Sequence, residues 1–120
     1  PTILADPLPD SKIGKQEVFG PVIAVFRTKS SEEAIARANS IDFAFQAAVF
    51  TQDIDNAMAA YSGLNASAVM VNDHTAFRTD WMPFAGLGQS GHGVGGIPHT
   101  LHDMRIEKML VVKSPALENF

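Results

Sequence analysis

Apolar positions in this chain follow three different spacings, and each predicts a different element. Val22-Ile23-Ala24-Val25-Phe26 is a continuous apolar run after Gly20-Pro21, rich in β-branched residues, which predicts a strand covered on both faces. Ser30 stands three residues before Glu33, a capping-box spacing, and Ala34, Ile35, Ala38 and Ile41 then share one stripe, so a short helix follows. Gln46-Ala47-Ala48-Val49-Phe50-Thr51 reads as a second strand. Asp53 can cap a helix whose apolar positions Ile54, Ala57, Met58, Tyr61 and Leu64 keep i, i+3, i+4, i+7 spacing. Ala68-Val69-Met70-Val71 makes the next strand. The order is therefore strand, helix, strand, helix, strand, with crossovers long enough for parallel pairing.

The flanks differ. Pro1, Pro7 and Pro9 punctuate an extended approach with a short strand at Thr2-Ile3-Leu4. From Asn72 to Gly96 polar and aromatic residues mix with many glycines, too many for a helix interior and too long for a simple connection. Loops of this kind carry function more often than scaffold does. Pro98 suits the first turn of a helix reaching Met104, and Met109-Leu110-Val111-Val112 reads as a last strand before Pro115. The expected class is α/β: a three-layer parallel sheet with flanking helices, present in part, ending in a separate C-terminal strand.

Composition narrows the function. With 120 residues and 46% hydrophobic content, the chain suffices for one small domain or one end of a larger one. Nine basic against thirteen acidic residues give a net charge of −4 with no basic block, which makes nucleic acid a poor partner. No apolar run approaches the ~20 residues of a membrane helix, so the chain reads as cytoplasmic with no membrane partner. Asn65-Ala66-Ser67 spells a glycosylation acceptor, which matters only in a secreted chain. Cysteine is absent, removing disulfides, thiolate metal sites and thiol nucleophiles together. Pro1 is no natural initiator and points to cleavage or excision.

Several motifs invite chemistry. Gly86-Leu87-Gly88-Gln89-Ser90-Gly91 has the letters of a dinucleotide fingerprint, but Met82-Pro83-Phe84 precedes it where a strand should lead directly in. His99 and His102 could share a helical face with His92 near, yet no acidic third ligand has an obvious place, so no metal is expected. Ser90, His74 and Asp80 supply the letters of a hydrolase triad, but Ser90 sits in no strand-to-helix elbow. Arg78, set among Phe77, Trp81 and Phe84, suits a small anionic substrate; the alternative is an Arg78–Asp80 surface pair. Glu17 in Glu17-Val18-Phe19-Gly20-Pro21 stands just before a buried strand, where a carboxylate can accept two hydroxyl hydrogen bonds, or it belongs to an ordinary turn.

Taken together these segments resemble the C-terminal part of the aldehyde dehydrogenase superfamily, in order from Pro1 to about Lys113. The carriers are Glu17-Val18-Phe19-Gly20-Pro21, which matches the family's E-x-F-G-P motif, and Pro83-Phe84-Ala85-Gly86 with Ser90-Gly91-His92-Gly93, which resembles its P-F-G-G and S-G-x-G pair. Ser31-Glu32-Glu33-Ala34 with Ala38-Asn39, Gln46 to Thr51, and Val69-Met70-Val71-Asn72 fall between them. Gln16 stands where a second acid is common, and Ser67 and Ala85 stand where the family has glycine. If Ser67 or Ala85 needs a positive φ, its Cβ costs about 1–2 kcal/mol.

The resemblance implies residues 1–104 as the end of a catalytic domain and 105–120 as an oligomerisation strand and tail. It implies NAD or NADP as cofactor, with Glu17 holding the ribose hydroxyls beside the nicotinamide and Phe19 packed at the same end. Arg78, His74 and Phe84 are then substrate-binding residues, Arg78 for an anion and Phe84 as a wall of the tunnel. The Asn72–Trp81 loop looks like that of branches acting on lactaldehyde, glyceraldehyde phosphate and related small polar aldehydes. The family's chemistry runs through a cysteine thiolate, hydride transfer to nicotinamide and hydrolysis of a thioester. No catalytic residue is therefore expected here, and the chain alone is expected to be inactive, with weak or no cofactor affinity. Met109, Leu110, Val111 and Val112 would mediate homo-oligomerisation. The competing reading is a non-catalytic oligomerisation or binding module that shares the fold.

Overall fold

A computed structural model describes residues 1–117 and holds six strands, four α-helices and a closing 3-10 turn among them. Strand β1 (Thr2–Ala5) pairs in parallel with β2 (Val22–Val25), Ile3 opposite Ile23, and the connection contains the short helix α1 (Lys12–Lys15). Helix α2 (Ser31–Ala38) opens on Ser30, whose side chain accepts from the Glu33 N–H, while the Glu33 carboxylate accepts from the Lys29 N–H. The first bond satisfies a donor that a helix start leaves without a partner, and the second ties down the residue before the cap. Strand β4 (Gln46–Val49) pairs in parallel with β5 (Ala68–Val71) across helix α3 (Ile54–Gly63), the right length for a crossover. The short strands β3 (Phe43–Ala44) and β6 (Leu87–Gly88) pair antiparallel, and α4 (Ile97–Asp103) follows.

The fully buried apolar residues are Ala57, Ala60 and Met70. Two alanines three positions apart let α3 lie close on β5, with Met70 filling the gap. Ile35 packs where a Cβ on Gly63 would stand, which brings α2 against the end of α3. Asn39 ties that junction: its Nδ2 donates to the Gly63 carbonyl at 2.7 Å, and its Oδ1 accepts from the Asn65 N–H at 2.9 Å.

The α/β class and the parallel pairing hold, but three expectations need correction. The strands form three separate two-stranded sheets instead of one continuous layer, because β2 pairs with β1 and not with β4. Strand β2 is not covered on both faces, since Ile23 is 60% exposed. On α3 the stripe Ile54, Met58 and Tyr61 faces outward, Ile54 at 71%, and the inward face is the alanine one. Met109–Val112, expected to pair with a neighbouring copy, joins no strand among the described residues of the single chain, and Leu110 is 84% exposed. A strand needs a partner for its N–H and C=O groups, and the described residues offer this segment none. The Cα radius of gyration is 21.7 Å. A compact domain of this length has about 14 Å.

Candidate functional site

The glycine-rich loop is built as a closed flap. Phe84 and Gly95 form an antiparallel bridge, with Phe84 N–H donating to Gly95 at 3.0 Å and Gly95 N–H donating back at 2.8 Å. Strand β6 docks the tip of the flap on β3, and two bonds reinforce it: Gln89 N–H to the Asp42 carbonyl, and Ala44 N–H to the Ser90 hydroxyl at 2.9 Å. Glycine is required at Gly88, where φ is +58° and a Cβ would meet the Asp42 carbonyl at 2.6 Å. A Cβ on Gly86 would run into the Ser90 carbonyl. Ser90 thus accepts a backbone hydrogen bond that holds the flap to β3.

Between this flap, β3 and the turn that follows α1 lies a cleft of about 940 Å³, lined among others by Lys15, Glu17, Phe43, Phe45, Phe84 and His92. A second cleft of about 590 Å³ adjoins it and is lined by Glu17, Phe19 and Val22; Ile13, Gln16 and Glu17 belong to both. Glu17 therefore stands at the junction, and its carboxylate accepts no hydrogen bond among the described residues. Phe19 has φ +54° and is 91% exposed. A bulky side chain rarely adopts that backbone, and burial does not explain this case, because the ring packs on almost nothing.

The structure brings Glu17 and Phe84 into one cleft although 67 positions separate them, and sets Phe19 in the next. Arg78 reaches the cluster from outside: its guanidinium lies over the Phe84 ring, 4.1 Å from the centroid, and it makes no ion pair among the described residues. The Arg78–Asp80 surface pair is absent from those residues. Phe84 also meets Phe45 edge-on, 4.9 Å between centroids at 88°. His74 lies apart, exposed in the 72–80 loop, its ring 3.9 Å from Asp73 and lining neither cleft. Neither Ser67 nor Ala85 has a positive φ; Phe19, Asn72 (+58°) and Asp6 (+45°) do. Ser67 instead donates its N–H and hydroxyl to the Phe45 carbonyl.

Sequence reasoning missed Phe45 and Lys15 as cleft walls and Asn72 as a clamp. The Asn72 side chain accepts from Thr51 N–H and donates to the Thr51 carbonyl, both at 2.8 Å, which fixes where the 72–80 loop leaves β5. An asparagine directly after an apolar strand was the available signal, since asparagine tolerates a left-handed backbone and bonds locally.

Comparison with known proteins bears on the same residues. The sequence model of the aldehyde dehydrogenase family matches residues 1–110. A 3-sulfolactaldehyde dehydrogenase from Priestia aryabhattai is 37% identical over 112 residues, covering 93% of this chain and 24% of that protein. A lactaldehyde dehydrogenase from Methanococcus maripaludis is 41% identical over 103 residues, 86% of this chain and 22% of its own length. The solved structure of a glyceraldehyde-3-phosphate dehydrogenase from Methanocaldococcus jannaschii, complexed with NADP, superimposes with a TM-score of 0.77 at 36% identity. That superposition covers 85% of this chain and 22% of the other. The chain spans about a quarter of the length of the relatives it matches. With sequence and fold in agreement along nearly all of it, the chain belongs to the aldehyde dehydrogenase family.

Proposed function

We propose that this chain forms the C-terminal side of the cofactor and substrate site of an NAD- or NADP-dependent dehydrogenase that oxidises a small polar aldehyde to its acid. One observation carries the reading: Glu17, without a partner among the described residues, stands beside an exposed and strained Phe19 where two clefts meet. An unpartnered carboxylate at a cleft can accept both hydroxyls of a ribose, and an exposed aromatic can pack on the sugar or on the ring it carries. These residues fit the nicotinamide end of the cofactor. The cofactor supplies the hydride acceptor; Glu17 and Phe19 bind and orient it. Arg78 is the group for a substrate anion, Phe84 a wall of the same site and His74 a flanking polar group. The names of the relatives, sulfolactaldehyde and lactaldehyde dehydrogenases, support a short polar aldehyde.

The chain has no cysteine, so it has no thiolate to form and release a thioester. Turnover therefore requires further protein, and the chain alone is inactive. Residues 1–104 form the catalytic-domain end, and the tail from 105 carries Met109–Val112 to a neighbouring copy's sheet edge in a cytoplasmic homo-oligomer.

The test is a chimera in which residues 1–113 replace the matching part of the Methanococcus lactaldehyde dehydrogenase. Aldehyde oxidation should persist, and Glu17→Gln should raise the KM for the nicotinamide cofactor at least tenfold. A chimera that folds and turns over with the same KM in both forms would refute the assignment of Glu17.

A further inference from the structure

Arg78 is an exposed loop arginine without a carboxylate partner among the described residues, although Asp73 and Asp80 share its loop. Such a side chain ordinarily spreads over many rotamers. Here its guanidinium lies 4.1 Å from the centroid of the Phe84 ring. That ring has contacts of its own. Its backbone N–H and C=O are both held by the bridge to Gly95, at 3.0 and 2.8 Å, and the ring stands at right angles to that of Phe45, 4.9 Å between centroids. Phe45 in turn is anchored by Ser67, which donates twice to its carbonyl. A continuous series of contacts thus runs from the start of the β4–β5 sheet through two aromatic rings to a cation that has no carboxylate partner among the described residues.

We propose that Phe84 is a positioning residue that acts through Arg78. Its ring fixes the guanidinium so that the N–H edges stay open to a carboxylate, sulfonate or phosphate at the far end of a short aldehyde. Aromaticity at position 84 then sets the preference for anion-tailed over uncharged aldehydes. A guanidinium stacked on an aromatic keeps all five donors in its plane, so the attraction to the ring and a forked bond to an anion do not compete. The proposal rests on the reading of Arg78 as the substrate-anion group, and its test separates the two.

The probe is inorganic phosphate, titrated at constant ionic strength into the whole chain while the Arg78 Nε–H resonance is followed by NMR. In the native chain that resonance should carry a ring-current shift from Phe84, and phosphate should move it. Phe84→Leu should abolish the ring-current shift and weaken phosphate binding about two- to fivefold, the ratio that an exposed cation–π contact corresponds to. Phe84→Tyr should restore both, which a merely structural role does not require. If Phe84→Leu binds phosphate as the native chain does, the proposal is overturned and Arg78 keeps its assignment. If the ring-current shift is present but phosphate moves Arg78 in neither protein, the assignment of Arg78 fails and the proposal with it.

Discussion

Phe19 concentrates the argument at the scale of single residues. Its left-handed backbone disfavours any residue with a Cβ, and 91% exposure returns nothing in packing, so the fold gains nothing from a phenylalanine there. Phe19→Gly should therefore be more stable than Phe19→Ala by roughly 0.5–1 kcal/mol, the left-handed penalty less the backbone entropy of glycine. Urea unfolding of the two variants checks this, and equal stabilities would show the turn to be unstrained. Asn72 meets the same backbone with a compatible side chain. Asn72→Ala removes two hydrogen bonds to Thr51 and leaves the left-handed strain, and should cost about 2 kcal/mol in the same assay. The motif around Phe19 was legible in the sequence; its strain was not, because the letters of a turn do not state the sign of φ.

The elements divide according to whether their neighbours lie close in sequence. Helices α2, α3 and α4 and strands β2, β4 and β5 follow local spacing and caps, so their positions could be read directly. Helix α1, Lys-Ile-Gly-Lys, has neither periodicity nor a side-chain cap, and β3 and β6 are two residues each, defined only by each other. Those unreadable pieces are what bring Glu17 and Phe84 into one cleft. The β1–β2 pair carries its own test. Where β1 ends, the Asp6 carboxylate accepts from the Arg27 N–H at 2.8 Å and from its Nε at 2.7 Å. The Arg27 backbone N–H first, and then its side chain, hold the Asp6 carboxyl below its ordinary range. The folded chain therefore gives up this proton at lower pH than the unfolded chain does. The contribution is complete above about pH 4 and is lost as the pH falls through the depressed value. Thermal unfolding of Asp6→Asn should show a shallower loss of stability below pH 4 than the native chain; parallel profiles would mean that the clamp is inert.

At the scale of the molecule the chain exposes more than a self-sufficient domain does. Its accessible surface is 9930 Å². A compact monomer of this mass exposes about 6300 Å². An excess of this order is the size of an obligate interface, and it supports the proposal that further protein covers β2, the outer stripe of α3 and the tail. It also explains why burial was the least legible property: an apolar run says that a surface wants cover, not that the same chain provides it. If the tail self-associates, sedimentation should show concentration-dependent assembly that Leu110→Lys weakens at least tenfold. Assembly unchanged by that substitution would place the contact elsewhere.

The central claim is that the junction at Glu17 and Phe19 holds the nicotinamide end of the cofactor, and the most direct test is a titration of NAD and NADP into the isotope-labelled chain by NMR. The account predicts weak binding, with shifts confined to residues 13–20 and the neighbouring cleft wall, and their loss in Glu17→Gln. Shifts that centre elsewhere, or that survive that substitution, would contradict it.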